Sequence, residues 1–190
     1  HGLALMLAGL ATFGPALAGA LPTGAQVVTG NASFAQTGSA LTITQKSNLL
    51  ATNWQSFNIG AGSSVTFVQP SQASVALNRV LGADVSTIQG ALKANGQVFL
   101  LNPNGVLFTP TAQVNVGGLV ASTLAISDAD FAAGRFQFHA ADSAVPGATV
   151  NNQGSLRAAD GGTVALIAAR VLNSGSIEAT RGRALLAAAD

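Results

Sequence analysis

The chain has 190 residues, enough for one sizeable domain with a core of its own. Charged residues make up 8% and AVILMFWYC residues 48%, a balance that excludes disorder, and a net charge of +1 from scattered groups leaves no basic patch for nucleic acid. Cysteine is absent, so burial alone must hold the fold if the protein is exported.

The apolar, uncharged stretch from Leu3 to Ala20 is broken by Gly14-Pro15 and closes on small residues. It reads as a signal peptide clipped at its front, residues 1–20, with cleavage near Gly19 or Leu21. A membrane anchor fits less well, because Gly and Pro interrupt the run and no charge flanks it. No transmembrane segment is therefore expected after cleavage. From Leu21 to Ser47, short alternating runs separated by Thr-Gly turns predict a terminal β cap over residues 21–47.

Residues 48–123 and 150–190 carry repeats. Asn152-Gln153-Gly154-Ser155-Leu156 returns 21 residues later as Asn173-Ser174-Gly175-Ser176-Ile177, and Gly161 returns as Gly182 at the same interval. Gly90 to Ala94 matches Gly154 to Ala158 at an interval of 64, close to three turns of 21. A period near twenty marks a solenoid. Alternation within each unit places Leu156 and Ala158 on one face and Ser155 and Arg157 on the other. The expected fold is all-β, a right-handed, single-stranded, pectin-lyase-like parallel β-helix. It should have roughly eight coils and a length on the order of 40 Å.

Inside this region, Val98 to Leu101 and Val106 to Phe108 flank Asn102-Pro103-Asn104-Gly105, a strong turn signal. The turn reads as a β-helix corner whose two apolar arms face one core. Asparagines at such corners can hydrogen-bond along the rod. Residues 124–149 depart from the repeat and predict a small insertion on the side of the rod. Ser127, early Asp128 and Asp130, and Gly134 predict a short helix, and the alternation of Arg135 to His139 predicts a strand. Continuation into further coils is expected after residue 190.

The stretch "LNRVLGADVSTIQGALKANGQVFLLNPNGVLF", Leu77 to Phe108, resembles the secretion domain of two-partner secretion exoproteins, the filamentous haemagglutinin-like adhesins and haemolysins of Gram-negative bacteria. "LPTGAQVVTG", "NWQSFNIGAGSSVTFVQP", "ISDADFAAGRFQF" and "VNNQGSLRAADGGTVALIAARVLNSGSI" fit in the same order, so the likeness covers nearly the whole chain. An earlier Asn-Pro-Asn-Leu motif of some members is missing, and only Asn102, Pro103, Asn104 and Gly105 are carried over as the secretion motif. The resemblance implies recognition in the periplasm by the POTRA domains of a TpsB-type outer-membrane transporter, followed by secretion and β-helix folding at the cell surface. Host cells or glycans would be targets of the region beyond. Asn78 and Arg79 lie in the family block and are candidate transporter contacts.

Two other functional classes fit the sequence less well. A polysaccharide lyase or hydrolase on a β-helix needs clustered acids or bases. Here seven acidic residues show no facing pair at one-coil spacing, and His139 stands alone, so no catalytic or metal-binding residue and no cofactor is assigned. An adhesin module holding carbohydrate needs exposed aromatic or polar ladders. Nine Phe, one Trp and no Tyr suit a core better, and Trp54 is expected in core or cap packing. Lys93 and Arg157 are expected at equivalent outward positions.

Overall fold

Alternating runs and glycine corners become stacked strands. A computed structural model describes residues 20–189. Residues 1–19, all but the last residue of the expected signal peptide, lie outside the described residues. The chain opens with β1 (Gln26–Thr29) and β2 (Ala32–Thr37), followed by β3 (Ala40–Gln45) and β4 (Leu49–Trp54), then β5 (Ser64–Val68) and β6 (Val75–Val80). Three-stranded coils follow as β7 (Ser86–Ile88), β8 (Ala91–Ala94) and β9 (Gln97–Leu101), then β10 (Val106–Phe108), β11 (Gln113–Val116) and β12 (Gly118–Ser122). After helix α1 (Asp128–Ala132) come β13 (Thr149–Asn152), β14 (Ser155–Ala158) and β15 (Thr163–Ala168), and finally β16 (Arg170–Asn173), β17 (Ser176–Ala179) and β18 (Arg183–Ala188).

Strands stack into three sheets along a parallel β-helix, in the orders β1-β4-β6-β9-β12-β15-β18, β2-β3-β5-β8-β11-β14-β17 and β7-β10-β13-β16. Every neighbouring pair is parallel except β1 with β4 and β2 with β3. These two antiparallel strands close the N-terminal end, while β3 already stacks as the first rung on β5. Phe34 of β2 meets Trp54 edge-on at 5.9 Å, and Phe57 lies 5.6 Å from the same indole, so an aromatic plug seals the core below the cap. Trp54 is buried, and its indole N–H donates to Asn78 Oδ1 at 2.9 Å.

Two longer sheets have seven levels each, not eight. The reason lies in the interval of 64 read from the sequence. Ala91 pairs with Gln113, 22 residues on, and Gln113 pairs with Ser155, 42 residues on. The interval is two coils, one lengthened by the insertion, rather than three equal ones. The 21-residue step holds for Asn152 with Asn173 and Leu156 with Ile177. It slips in the last sheet, where Val164 pairs with Ala184, 20 residues on. One residue is lost at the corner between β17 and β18, where Arg181 takes a left-handed φ of 50°.

Inward columns such as Leu50-Ala76-Val98-Leu119-Val164 and Leu41-Val65-Leu92-Val114-Leu156 fill the core. Outward ladders on the second sheet are polar. Lys93, Asn115 and Arg157 share one column, and Arg157 pairs with Glu178 on the next rung at 2.6 Å. The first sheet differs. Its outward residues Ala51, Val75, Leu77, Phe99 and Leu101 are also buried, under Ile126, Phe131 and Phe138 of the insertion. The apolar run Val98 to Leu101 thus serves two faces, with Val98 and Leu100 in the core and Phe99 and Leu101 beneath the insertion. Helix α1 forms as expected, but Arg135 to His139 makes no strand. Its only pairing is an antiparallel bridge of His139 with Ala125, while Phe136 packs on Phe99 at 5.1 Å. With no neighbouring strand to complete a ladder, side-chain packing sets that backbone.

Candidate functional site: the Asn102–Gly105 corner

Asn102 to Gly105 turn the chain from β9 into β10. The Gly105 N–H donates to Asn102 O at 3.0 Å, closing a four-residue turn in which Pro103 presets the second position. Gly105 has φ of 122°, and a Cβ there would stand 2.8 Å from Thr149 O of the next coil. Glycine is needed twice over, for the dihedral and for the stacking.

Asn102 is fully buried. Its Nδ2 donates to Asp84 O at 2.9 Å and Ser86 Oγ at 3.0 Å, in the preceding coil. Its Oδ1 accepts from the Asn104 N–H at 3.0 Å and from Asn104 Nδ2 at 2.9 Å. Asn104 Nδ2 also donates to Gly82 O at 2.8 Å. The two asparagines therefore fasten the corner to residues 82–86 one level below. These partners lie 16 to 22 residues away, one coil back, so only the repeat register could have revealed them in the sequence. The same device recurs at Asn152, whose Nδ2 donates to Asn173 Oδ1 at 2.9 Å.

Two clefts flank the turn. Pro103 borders one of about 470 Å³ with Thr123, Leu124, Ala141 and Val145. Asn104 borders the other with Val85, Leu107, Val145 and Leu172. All the N–H donors of the turn named above bond within the fold, so what the corner offers outward is shape, apolar surface and the Asn104 amide oxygen. Among the described residues, no three His, Cys, Asp or Glu side chains converge to hold a metal.

The structure places Asn78 inside the core, where Nδ2 donates to Ala76 O at 3.2 Å and Phe99 O at 3.3 Å. Arg79 points outward, but its guanidinium is bound to the insertion, by Asp128 Oδ1 at 2.5 Å and Ile126 O at 3.0 Å. Neither residue joins the corner's hydrogen-bond network. Asp128, 49 residues from Arg79, anchors the insertion in addition to opening α1, a partnership that no local pattern signals.

At the start of α1, Ser127 Oγ accepts from the Asp130 N–H at 3.1 Å and donates to Asp130 Oδ2 at 2.7 Å. That bond from Ser127, followed by the bond from Arg135, holds the Asp130 carboxyl below its ordinary 3.8. A lowered folded-state pKa gives stabilisation that is present above 3.8 and is lost as the pH falls through the folded value. Hydrogen-exchange protection of the Asp130 and Phe131 amides is expected to fall on acidification below 3.8 in the native chain and to be flat in Asp130→Asn. Identical profiles would refute the linkage.

A stacked parallel coil with an N-terminal antiparallel cover, a side insertion and an Asn-Pro-Asn-Gly corner defines a secretion-domain type of β-helix. A family profile described as the TPS secretion domain matches residues 18–190, and the chain belongs to that family. The crystal structure of the HMW1 secretion domain from Haemophilus influenzae superposes with a TM-score of 0.82 at 36% identity, over 87% of this chain and 44% of that one. Two heme/hemopexin-binding proteins of Haemophilus influenzae are 50% and 49% identical over 103 and 87 residues, 54% and 46% of this chain. Those stretches are 11% and 9% of the relatives' lengths, so the chain spans a small part of proteins of that kind. Proteins of this family are exported by way of the periplasm across the outer membrane. Among the described residues, no helix is long and apolar enough to cross a membrane.

Proposed function

We propose that this chain is the non-enzymatic address of a larger exoprotein, recognised in the periplasm by the POTRA domains of a partner TpsB-type transporter and then nucleating coil-by-coil folding of the rest of the exoprotein at the cell surface. The observation that carries the reading is the Asn102–Gly105 corner, rigidly fastened to the preceding coil and flanked by two clefts. A preordered turn presents one fixed shape and loses little entropy on docking. Folding outward from a capped end follows from solenoid physics, because each coil needs only its neighbour as template. The burial of Trp54 favours export over a sugar-binding platform, since the indole face is turned inward.

Release into the medium is the measurement. Asn104→Ala and Gly105→Ala are expected to lower the secreted fraction about tenfold while periplasmic chain accumulates, since each disturbs the fixed turn. Secretion of both variants at the native level would remove the motif's role and leave it as a corner only.

A further inference from the structure

The clefts beside the corner belong to a wider surface. Ten large apolar side chains are exposed among the described residues, and four of them ring this turn: Leu81 at 65%, Val85 at 43%, Val145 at 42% and Leu172 at 40%. Leu81 shares a further cleft with Pro103, distinct from the two above, and Val85, Val145 and Leu172 share the cleft of Asn104. They come from separate coils and from the insertion, so adjacency arises only in the folded state. A grouped apolar surface of this kind marks an interaction site.

Charge narrows the occupant. Of the described acidic residues, Asp128, Asp130, Asp160 and Glu178 are each in an ion pair. The remaining two, Asp84 and Asp142, are exposed and both flank the corner. Asn102 Nδ2 bonds to the carbonyl of Asp84, and Asp142 lines the cleft of Leu81 and Pro103. Arg170 stands one rung farther along, beside Thr149. Two copies of this chain meeting symmetrically through this face would bring these carboxylates toward one another, which is unfavourable. A following coil would stack on β16 to β18 at the end of the rod, beside Leu172 of β16 but away from Leu81, Val85 and Val145.

Resting on the secretion reading, we infer that the transporter's periplasmic region grips the folded domain here, through an apolar surface with basic side chains opposite Asp84 and Asp142, by side-chain contact rather than by adding a strand. The apolar ring supplies affinity, and the two carboxylates steer and orient the encounter.

Binding of the purified chain to the transporter, purified in detergent from the source strain, tests this. Leu81→Ser combined with Leu172→Ser should weaken binding at least about tenfold with an unchanged melting temperature, because both side chains are exposed. Asp84→Asn with Asp142→Asn should leave the complex less sensitive to salt. Native affinity in the serine pair, or an unchanged salt response in the asparagine pair, overturns the inference while leaving the secretion reading intact. No binding by the native chain overturns the secretion reading itself. Native self-association in sedimentation that the serine pair abolishes, with transporter binding preserved, would make a second copy the occupant and likewise overturn it.

Discussion

Asn102→Ala is expected to lower the unfolding free energy by about 3 kcal/mol, among the largest single losses available outside the apolar core. The side chain is fully buried and holds four hydrogen bonds, two given and two accepted. Alanine removes all four, leaving the buried Ser86 Oγ without this donor and the Asp84 carbonyl and the Asn104 N–H without their partner. Asn102→Asp tells hydrogen-bond chemistry from volume, since it keeps the shape and the acceptors but loses both donors to the preceding coil. Chemical denaturation should show both variants weakened, with Asp no better than Ala. A loss below about 1 kcal/mol in both would mean that the corner is held by its turn geometry alone.

That result bears on how the secretion motif is read. Residue identity at Asn102 and Gly105 is demanded by stacking, whereas Pro103 and Asn104 stand at the two clefts. A secretion defect at Asn102 therefore needs a stability measurement beside it, and Leu81 and Leu172 supply the surface test free of that ambiguity.

Local patterns carried much of the architecture. The alternation of Ser155 to Ala158 and the return of Asn152 as Asn173 gave the coil and its register, because a solenoid repeats the same packing problem at every rung. Ser127, Asp130 and Gly134 marked α1, because capping is a short-range transaction between side chain and backbone. Long-range features were hidden. The interval from Gly90 to Gly154 looked like equal coils, since sequence distance does not distinguish a turn of the rod from an excursion beside it. Likewise, the partners of Asn102 and Arg79 depend on which coils become neighbours. One signal was available for the covered outer face. Val98 to Leu101 is apolar at four consecutive positions, where a strand with one wet face would alternate.

That doubly buried sheet makes Phe131 the second sensitive position, and the expected failure there is local. Phe131 is fully buried against the outer face of the first sheet, and its ring lies 5.8 Å from Phe136. Phe131→Ala should cost about 3–5 kcal/mol if the site cannot collapse. The insertion, however, is joined to the rod by side-chain packing and by Arg79, which binds Asp128 and the Ile126 carbonyl, while the coils keep their own ladders. Undocking the insertion then limits the loss, because the coil can persist without it. Protease should cut the variant between residues 133 and 147, and a dye that reports exposed apolar surface should bind it, as Leu77, Phe99 and Leu101 lose their cover. The main unfolding transition should move far less than a full core deletion would move it. If the whole coil melts early and no cleavage confined to the insertion occurs, the insertion is an integral part of the cooperative fold rather than a cover laid upon it.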